Sequence, residues 1–157
     1  MKKITPFLWF DTQAEEAAAF YTSIFKNSKI GAIRRYGEAG PRPKGMVLSV
    51  TFEIDGEEFV ALNGGPQFHF TPAISFFVSC ETQQEVDELW DKLAAGGRKD
   101  QCGWLQDKYG VSWQIIPKAL MQLMGDPDPA KANRVMKAML QMQKIDVKAL
   151  EEAYRQV

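Results

Sequence analysis

Polar side chains set alternately among aromatic ones are the residues of this chain best suited to chemistry. Thr5, Phe7 and Trp9 alternate along one apolar run, Ser75, Phe77 and Ser79 along a second, and Ser112, Gln114 and Ile116 along a third. If each run is a strand, the period of two places each trio on one face. Hydroxyls and an amide among aromatic rings make an apolar surface that still donates and accepts hydrogen bonds, as a small-molecule pocket does. The competing reading is that these groups satisfy one another or hold ordered water. Cys102, just before Gly103-Trp104 and near Arg98, Lys99 and Lys108 in sequence, is a candidate ligand-contacting thiol, reactive if a cation lowers its pKa. Against this stands the ordinary buried, inert cysteine. His69 is the single imidazole and falls in a turn-rich bridge, where a solvated role competes with a catalytic one.

The elements that would position these residues come in two related sets. Shifted by 70 positions, Ile4, Thr5, Phe7, Leu8, Asp11, Thr12, Gln13 and Glu15 fall on Ile74, Ser75, Phe77, Val78, Glu81, Thr82, Gln83 and Glu85. In both copies an apolar strand runs into Thr-Gln-x-Glu, the capping-box spelling of a helix start. After the first, Ala14, Ala17, Ala18, Tyr21, Ile24 and Phe25 give the stripe of one buried helix face. Strands are expected over 29–36, 46–54 and 58–62, the last two joined by the hairpin turn Asp55-Gly56. The first module therefore reads βαβββ over 1–65. A bridge beginning Asn63-Gly64-Gly65-Pro66 leads to the second module, 72–117. Its helix carries Val86, Leu89, Trp90 and Leu93 on one face and stops at Gly96-Gly97. Short strands around 98–99 and 102–105, a turn at Asp107-Lys108-Tyr109-Gly110 and a strand over 111–116 make it a clipped copy of the first.

Residues 118–157 read as a helical extension holding five of the seven methionines. Asp128-Pro129 is an N-cap with proline at the first helical position, and Asp146 caps a last helix with Ile145 and Leu150 at staple positions. The stripe Ala132, Val135, Met136, Met139 and Met142 is a packing surface, on the domain or across a dimer, or else a methionine-rich binding face.

A chain of 157 residues with 45% apolar and 25% charged residues can bury a real core. The formal charge of −1 gives no electrostatic reason to expect nucleic acid or an anionic membrane as partner. No apolar run approaches the roughly 18 residues of a bilayer span, and the start leads into a strand rather than a signal-peptide core. Cytoplasm is the expected address. Cys80 and Cys102 are too few for a disulfide framework.

Two βαβββ modules, the Asn63-Gly64-Gly65-Pro66 junction, the stretch from Cys102-Gly103-Trp104 to Ile116-Pro117 and the tail from Pro127 to Leu150 together resemble the PhnB-like branch of the vicinal oxygen chelate (glyoxalase/bleomycin-resistance/dioxygenase) superfamily. The resemblance implies an α+β fold, two modules curling as a half-barrel round a cavity, with a C-terminal helical extension, and homodimerisation. Metal-using members of the superfamily carry ligands on the first and last strands of each module. By register the corresponding positions here are Thr5, Asn63 (or Ala61), Ser75 and Gln114. None is His, Asp or Glu, and neutral hydroxyls and amides bind a divalent metal weakly. The expectation is a small-molecule binder with no essential metal and no cofactor, its ligand held by Thr5, Phe7, Trp9, Asn63, Ser75, Phe77, Cys102 and Gln114. A metal-dependent lyase, isomerase or dioxygenase is the alternative, and an interaction protein working through its tail is a third reading. The branch is often labelled 3-demethylubiquinone-9 3-methyltransferase. A nucleotide-fold methyltransferase would show a strand, a Gly-x-Gly loop, a helix and an acidic residue about 20 positions on. Here Gly64-Gly65-Pro66 is followed by another strand, so the residues do not support that label.

Overall fold

In the computed structural model, residues 2–156 are described. The chain divides into two compact units, Met1–Phe70 and Thr71–Val157. Unit 1 runs β1 (Phe7–Phe10), α1 (Ala14–Ile24), β2 (Lys29–Arg35), β3 (Val47–Ile54) and β4 (Glu57–Asn63). Unit 2 repeats the order with β5 (Ser75–Cys80), α2 (Gln83–Ala94), β6 (Arg98–Lys99), β7 (Trp104–Gln106) and β8 (Ser112–Pro117), then adds α3 (Lys118–Met124), α4 (Pro129–Met139) and α5 (Val147–Arg155). The sheet orders are β1-β4-β3-β2 and β5-β8-β7-β6. The first strand of each module lies parallel to the last, and the other pairs are antiparallel. The α+β fold of two βαβββ modules with helices after them is therefore the one the sequence announces.

Each sheet buries one face under its helix. In unit 1, Leu8, Phe10, Val50, Phe52, Ile54 and Ala61 are buried, as are Ala14, Ala17, Ala18 and Tyr21 of α1. The small alanines let the helix approach closely. Tyr21 then stacks on Phe52 at 6.0 Å between ring centroids, and Phe52 on Phe59 at 5.5 Å. In unit 2, Val86, Leu89, Trp90 and Leu93 of α2 are buried together with Leu105, Trp113 and Ile115. This is the stripe read from the 3.6-residue period.

The two helix starts differ from each other despite their shared spelling. Thr82 does cap α2, its hydroxyl accepting from the Glu85 amide at 3.2 Å. Thr12 does not cap α1. That helix starts after Gln13 with no local side-chain cap, and its Ala14 amide donates instead to Asn63 Oδ1 at 2.8 Å. The cap arrives from β4, 49 residues away in sequence, which no local motif can signal.

The β7–β8 hairpin is built on a buried carboxylate. Asp107 is 2% exposed; its Oδ1 accepts from the Tyr109 and Val111 amides at 2.8 and 3.1 Å, and its Oδ2 from Trp113 Nε1 at 3.0 Å. Aspartate holding amides two and four residues on is a turn-forming arrangement. It fixes the register Gln106 opposite Ser112 and Trp104 opposite Gln114.

The C-terminal helices pack on the end of β8. Ile116, Leu120, Val135, Ile145 and Leu150 form one buried cluster, with Met124, Met139 and Met142 against it. Asp128 and Asp146 cap α4 and α5 as their sequence positions suggest. Gln83 ties this bundle to α2, accepting from Val147 N at 2.7 Å and donating to Ile145 O at 2.9 Å. Tyr154 donates to Asp126 at 2.6 Å. That bond holds the Asp126 carboxyl below its ordinary range and pushes the Tyr154 phenol above its own. Met121, Met136 and Leu140 stay exposed, so the methionine stripe is mostly packing and partly surface.

Candidate ligand site on the unit 2 sheet

The sheet face away from α2 carries the polar residues of unit 2. Strand register aligns them in rows: Phe77, Gln114 and Trp104 across one level, Ser75, Ser112 and Gln106 across the next. Gln114 donates from Nε2 to Ser75 Oγ at 2.9 Å. An amide oriented in this way keeps its carbonyl oxygen and second N–H for another partner. Phe77 is 51% exposed on one side of it, and Trp104 is half-buried on the other. The Ser112 hydroxyl is buried and has no hydrogen-bond partner among the described residues. Polar groups buried in this state are rare in folded proteins and costly unless engaged.

Trp104 is absent from the expected site. A four-residue turn over 107–110 would set Trp104 opposite Trp113; the Asp107 amide instead donates to Val111 O at 2.9 Å, closing a three-residue loop that sets Trp104 opposite Gln114.

Unit 1 presents a different surface. Phe7 is 56% exposed on β1. Thr5 is half-buried just before it, its hydroxyl 3.3 Å from Lys2 O and 3.5 Å from Glu58 Oε1. Glu58 thus places a carboxylate beside Thr5, a contact between strands that alternation along either one does not signal. Trp9 is held by its surroundings. Its Nε1 donates to Gly65 O at 2.9 Å, and its ring meets Phe68 edge-on at 5.0 Å. A Cβ on Gly64 would lie 2.3 Å from that ring, so only glycine allows the indole to lie against the junction.

Asn63 does not lie with these residues, and its expected place among the ligand contacts is corrected. It is 2% exposed, accepts from Ala14 N, and donates from Nδ2 to Val47 O at 3.0 Å. The backbone carbonyl of Asn63 accepts in turn from Tyr36 Oη at 2.6 Å. The alternative Ala61 is fully buried and pairs with Leu8 in the helix-facing core. The repeat shows the correct match: Phe7 pairs with Val60 as Phe77 pairs with Gln114. An apolar residue therefore stands in unit 1 where unit 2 has an amide, and the polar groups of the paired strands concentrate in unit 2.

Both cysteines are thiols. Cys80 is fully buried, and that burial, with Glu85 beside it, pushes its pKa up to about 12, so it stays protonated at neutral pH. Cys102 is half-buried, in a left-handed backbone conformation (φ 61°), with its amide donating to Met142 O at 2.8 Å. His69 is exposed.

The donor set does not fit a divalent metal. Ser75 and Gln114 are bonded to each other, Asn63 is buried in the scaffold, and Thr5 brings only a hydroxyl. Among the described residues no three His, Cys, Asp or Glu side chains converge.

The repeated βαβββ architecture, with a polar strand face in its second half, defines a class of protein, and the comparisons place the chain within it. Residues 2–116 match the family described as 3-demethylubiquinone-9 3-methyltransferase. The chain belongs to that family, the PhnB-like one its motifs resemble. It is 44% identical to the PhnB protein of Bacillus cereus, with a TM-score of 0.68, over 74% of this chain and 99% of that one. A Pseudomonas aeruginosa protein at 19% identity and TM-score 0.62 shares the fold over 74% of this chain and 98% of its own. No protein of curated function matches. The family's description names a methyltransferase, but Gly64-Gly65-Pro66 leads through residues 67–74 into β5 rather than into a helix. A glycine loop opening a helix, the cofactor-cradling order of a nucleotide fold, is not formed there.

Proposed function

We propose that this protein binds a small, neutral, partly aromatic molecule on the exposed strand face of unit 2, without an essential metal. The observation that carries the reading is Gln114, an amide fixed by Ser75 in mid-strand and flanked on its two neighbouring strands by Phe77 and Trp104. Rings stack on the aromatics while the amide orients an oxygen or ring nitrogen, the division of labour usual in ligand pockets. Arg98 lies in the same row as Gln106 but is paired with Asp100 at 2.9 Å, which favours a neutral ligand over an anion.

Gln114→Leu tests this. The change keeps the volume roughly constant and removes the hydrogen bonds, so folding survives. Ligands found by mass spectrometry of co-purified small molecules, or by fragment screening, lose about 0.5–1.5 kcal/mol of affinity, and more where the ligand's polar group is left buried. Unchanged affinity for every such ligand would make Gln114 a packing residue.

The working form in this proposal is a cytoplasmic homodimer. Its support is a repeated feature. Ile4 and Ile74 are 86% and 74% exposed, and Phe7 and Phe77 are 56% and 51% exposed, at equivalent positions of the two modules. β1 and β5 are also sheet-edge strands, which proteins usually cover or pair. Sedimentation at micromolar concentration is expected to give a species of twice 17.7 kDa. A single species at the monomer mass refutes it.

A further inference from the structure

We propose that the C-terminal helices are the end wall of the Gln114 site and restrict it to compact, ring-sized ligands; this rests on the reading of that face as the ligand site. Ile116 follows Gln114 by two residues on the same face of β8, about 7 Å along the strand at roughly 3.3 Å per residue. On β8 the face ends there, while the paired Ser79 on β5 stays exposed. Ile116 is 4% exposed and shares its cluster with Leu120 of α3, Val135 of α4, Ile145 just before α5 and Leu150 of α5.

The wall is fixed by backbone as well as by side chains. The amides of Cys102 and Gly103, leading into β7, donate to the carbonyls of Met142 and Gln143, each at 2.8 Å. A Cβ on Gly103 would stand 2.8 Å from Ile116 Cδ1 and 3.1 Å from Ile145 Cγ1. The tail thus sits against the strand as closely as a backbone without a side chain allows. On its outer side Gln83 bonds both Ile145 and Val147, and Lys144 pairs with Asp87 at 3.0 Å. A ligand seated on Gln114 therefore meets packed hydrocarbon one residue pair away along β8 and cannot extend past it on that strand.

The segment that does this lies beyond the residues matched by the family model. The family match ends at residue 116, and 74% of this chain accounts for 99% of the Bacillus relative. The tail consequently changes which molecules fit without altering the residues that hold them.

Calorimetric titration of the full-length chain with benzamide and with 3- and 4-propylbenzamide tests the proposal. The parent is expected to bind benzamide at least tenfold more tightly than either propyl isomer. Ile116→Ala, which opens room between Gln114 and the wall, is expected to raise the affinity of at least one propyl isomer tenfold relative to benzamide. Should that variant fail to fold, Ile116→Val is expected to move the same ratio about threefold. Gln83→Ala, which loosens the wall from outside, shifts it in the same direction. A parent that binds all three probes equally, or a ratio that no variant moves, overturns the end wall while leaving the Gln114 site standing. A parent that binds none of the probes, or a Gln114→Leu variant that binds benzamide as the parent does, overturns the site and the wall with it.

Discussion

Asp107→Ala is expected to destabilise the protein by about 3–5 kcal/mol, because it strips the acceptor from three N–H donors at once. Those donors are the Tyr109 and Val111 amides and Trp113 Nε1, and the last two bonds are buried. For a chain of this size each kcal/mol lowers the unfolding midpoint by roughly 2–4 °C, so a fall on the order of 10 °C should be seen in thermal unfolding. Asp107→Asn separates the contributions. Its amide oxygen can still accept from the two backbone amides, but its NH2 group would face the indole N–H of Trp113, donor against donor. An intermediate loss of about 1.5–3 kcal/mol follows. An Asn variant as stable as the parent would mean that the Trp113 bond contributes nothing, and the hairpin register would then need another cause.

Asn63→Leu is the second large effect. The substitution keeps the volume and removes both hydrogen bonds, taking the acceptor from the Ala14 amide at the start of α1 and the side-chain donor from the Val47 carbonyl. The expected cost is about 2–4 kcal/mol, combining a lost helix cap with a lost bond to the Val47 carbonyl. Asn63→Asp behaves differently with pH. A carboxylate can still cap α1, where the helix dipole favours it, but it sets negative charge against the Val47 carbonyl in a site that is 2% exposed. Burial raises the folded-state pKa of such a group above its unfolded value of roughly 3.9. The Asp variant is therefore most stable at low pH and loses stability as pH rises from that value through the folded pKa. Denaturant unfolding of both variants between pH 4 and pH 8 checks the pair. If Asn63→Leu were neutral, the α1 cap would have to come from elsewhere.

The contrast between the two helix starts shows where sequence reasoning succeeds. Thr12 and Thr82 sit in the same motif, yet only Thr82 caps its helix. A local motif states what a side chain can do within a few residues. It cannot state that a strand 49 positions away delivers a competing acceptor to the same place. The same limit explains the misplacing of Asn63. Its position at the end of an apolar run is visible in sequence, but its facing depends on how β4 is registered against β1, and Phe10 opposite Asn63 is a tertiary fact.

By itself the sequence determined the repeated modules, the stripes of α1 and α2, the hairpin at Asp55-Gly56, the short strand at Arg98-Lys99 and the capped helices of the tail. All of these rest on periodicity or on contacts within about five residues, which a linear pattern records. It also set Ser75 with Phe77, and Ser112 with Gln114, on one face of their own strands, because alternation needs no partner strand; that the two faces coincide is set by the pairing of β5 with β8. Only the tertiary structure decided that Gln114 bonds Ser75, that Trp104 joins them, that Val60 rather than Asn63 is the counterpart of Gln114, and that the tail covers Ile116. Each of those depends on pairing between segments distant in the chain. Register across strands is set by packing on both faces and by the turn at Asp107 together, and no single stretch of residues contains it.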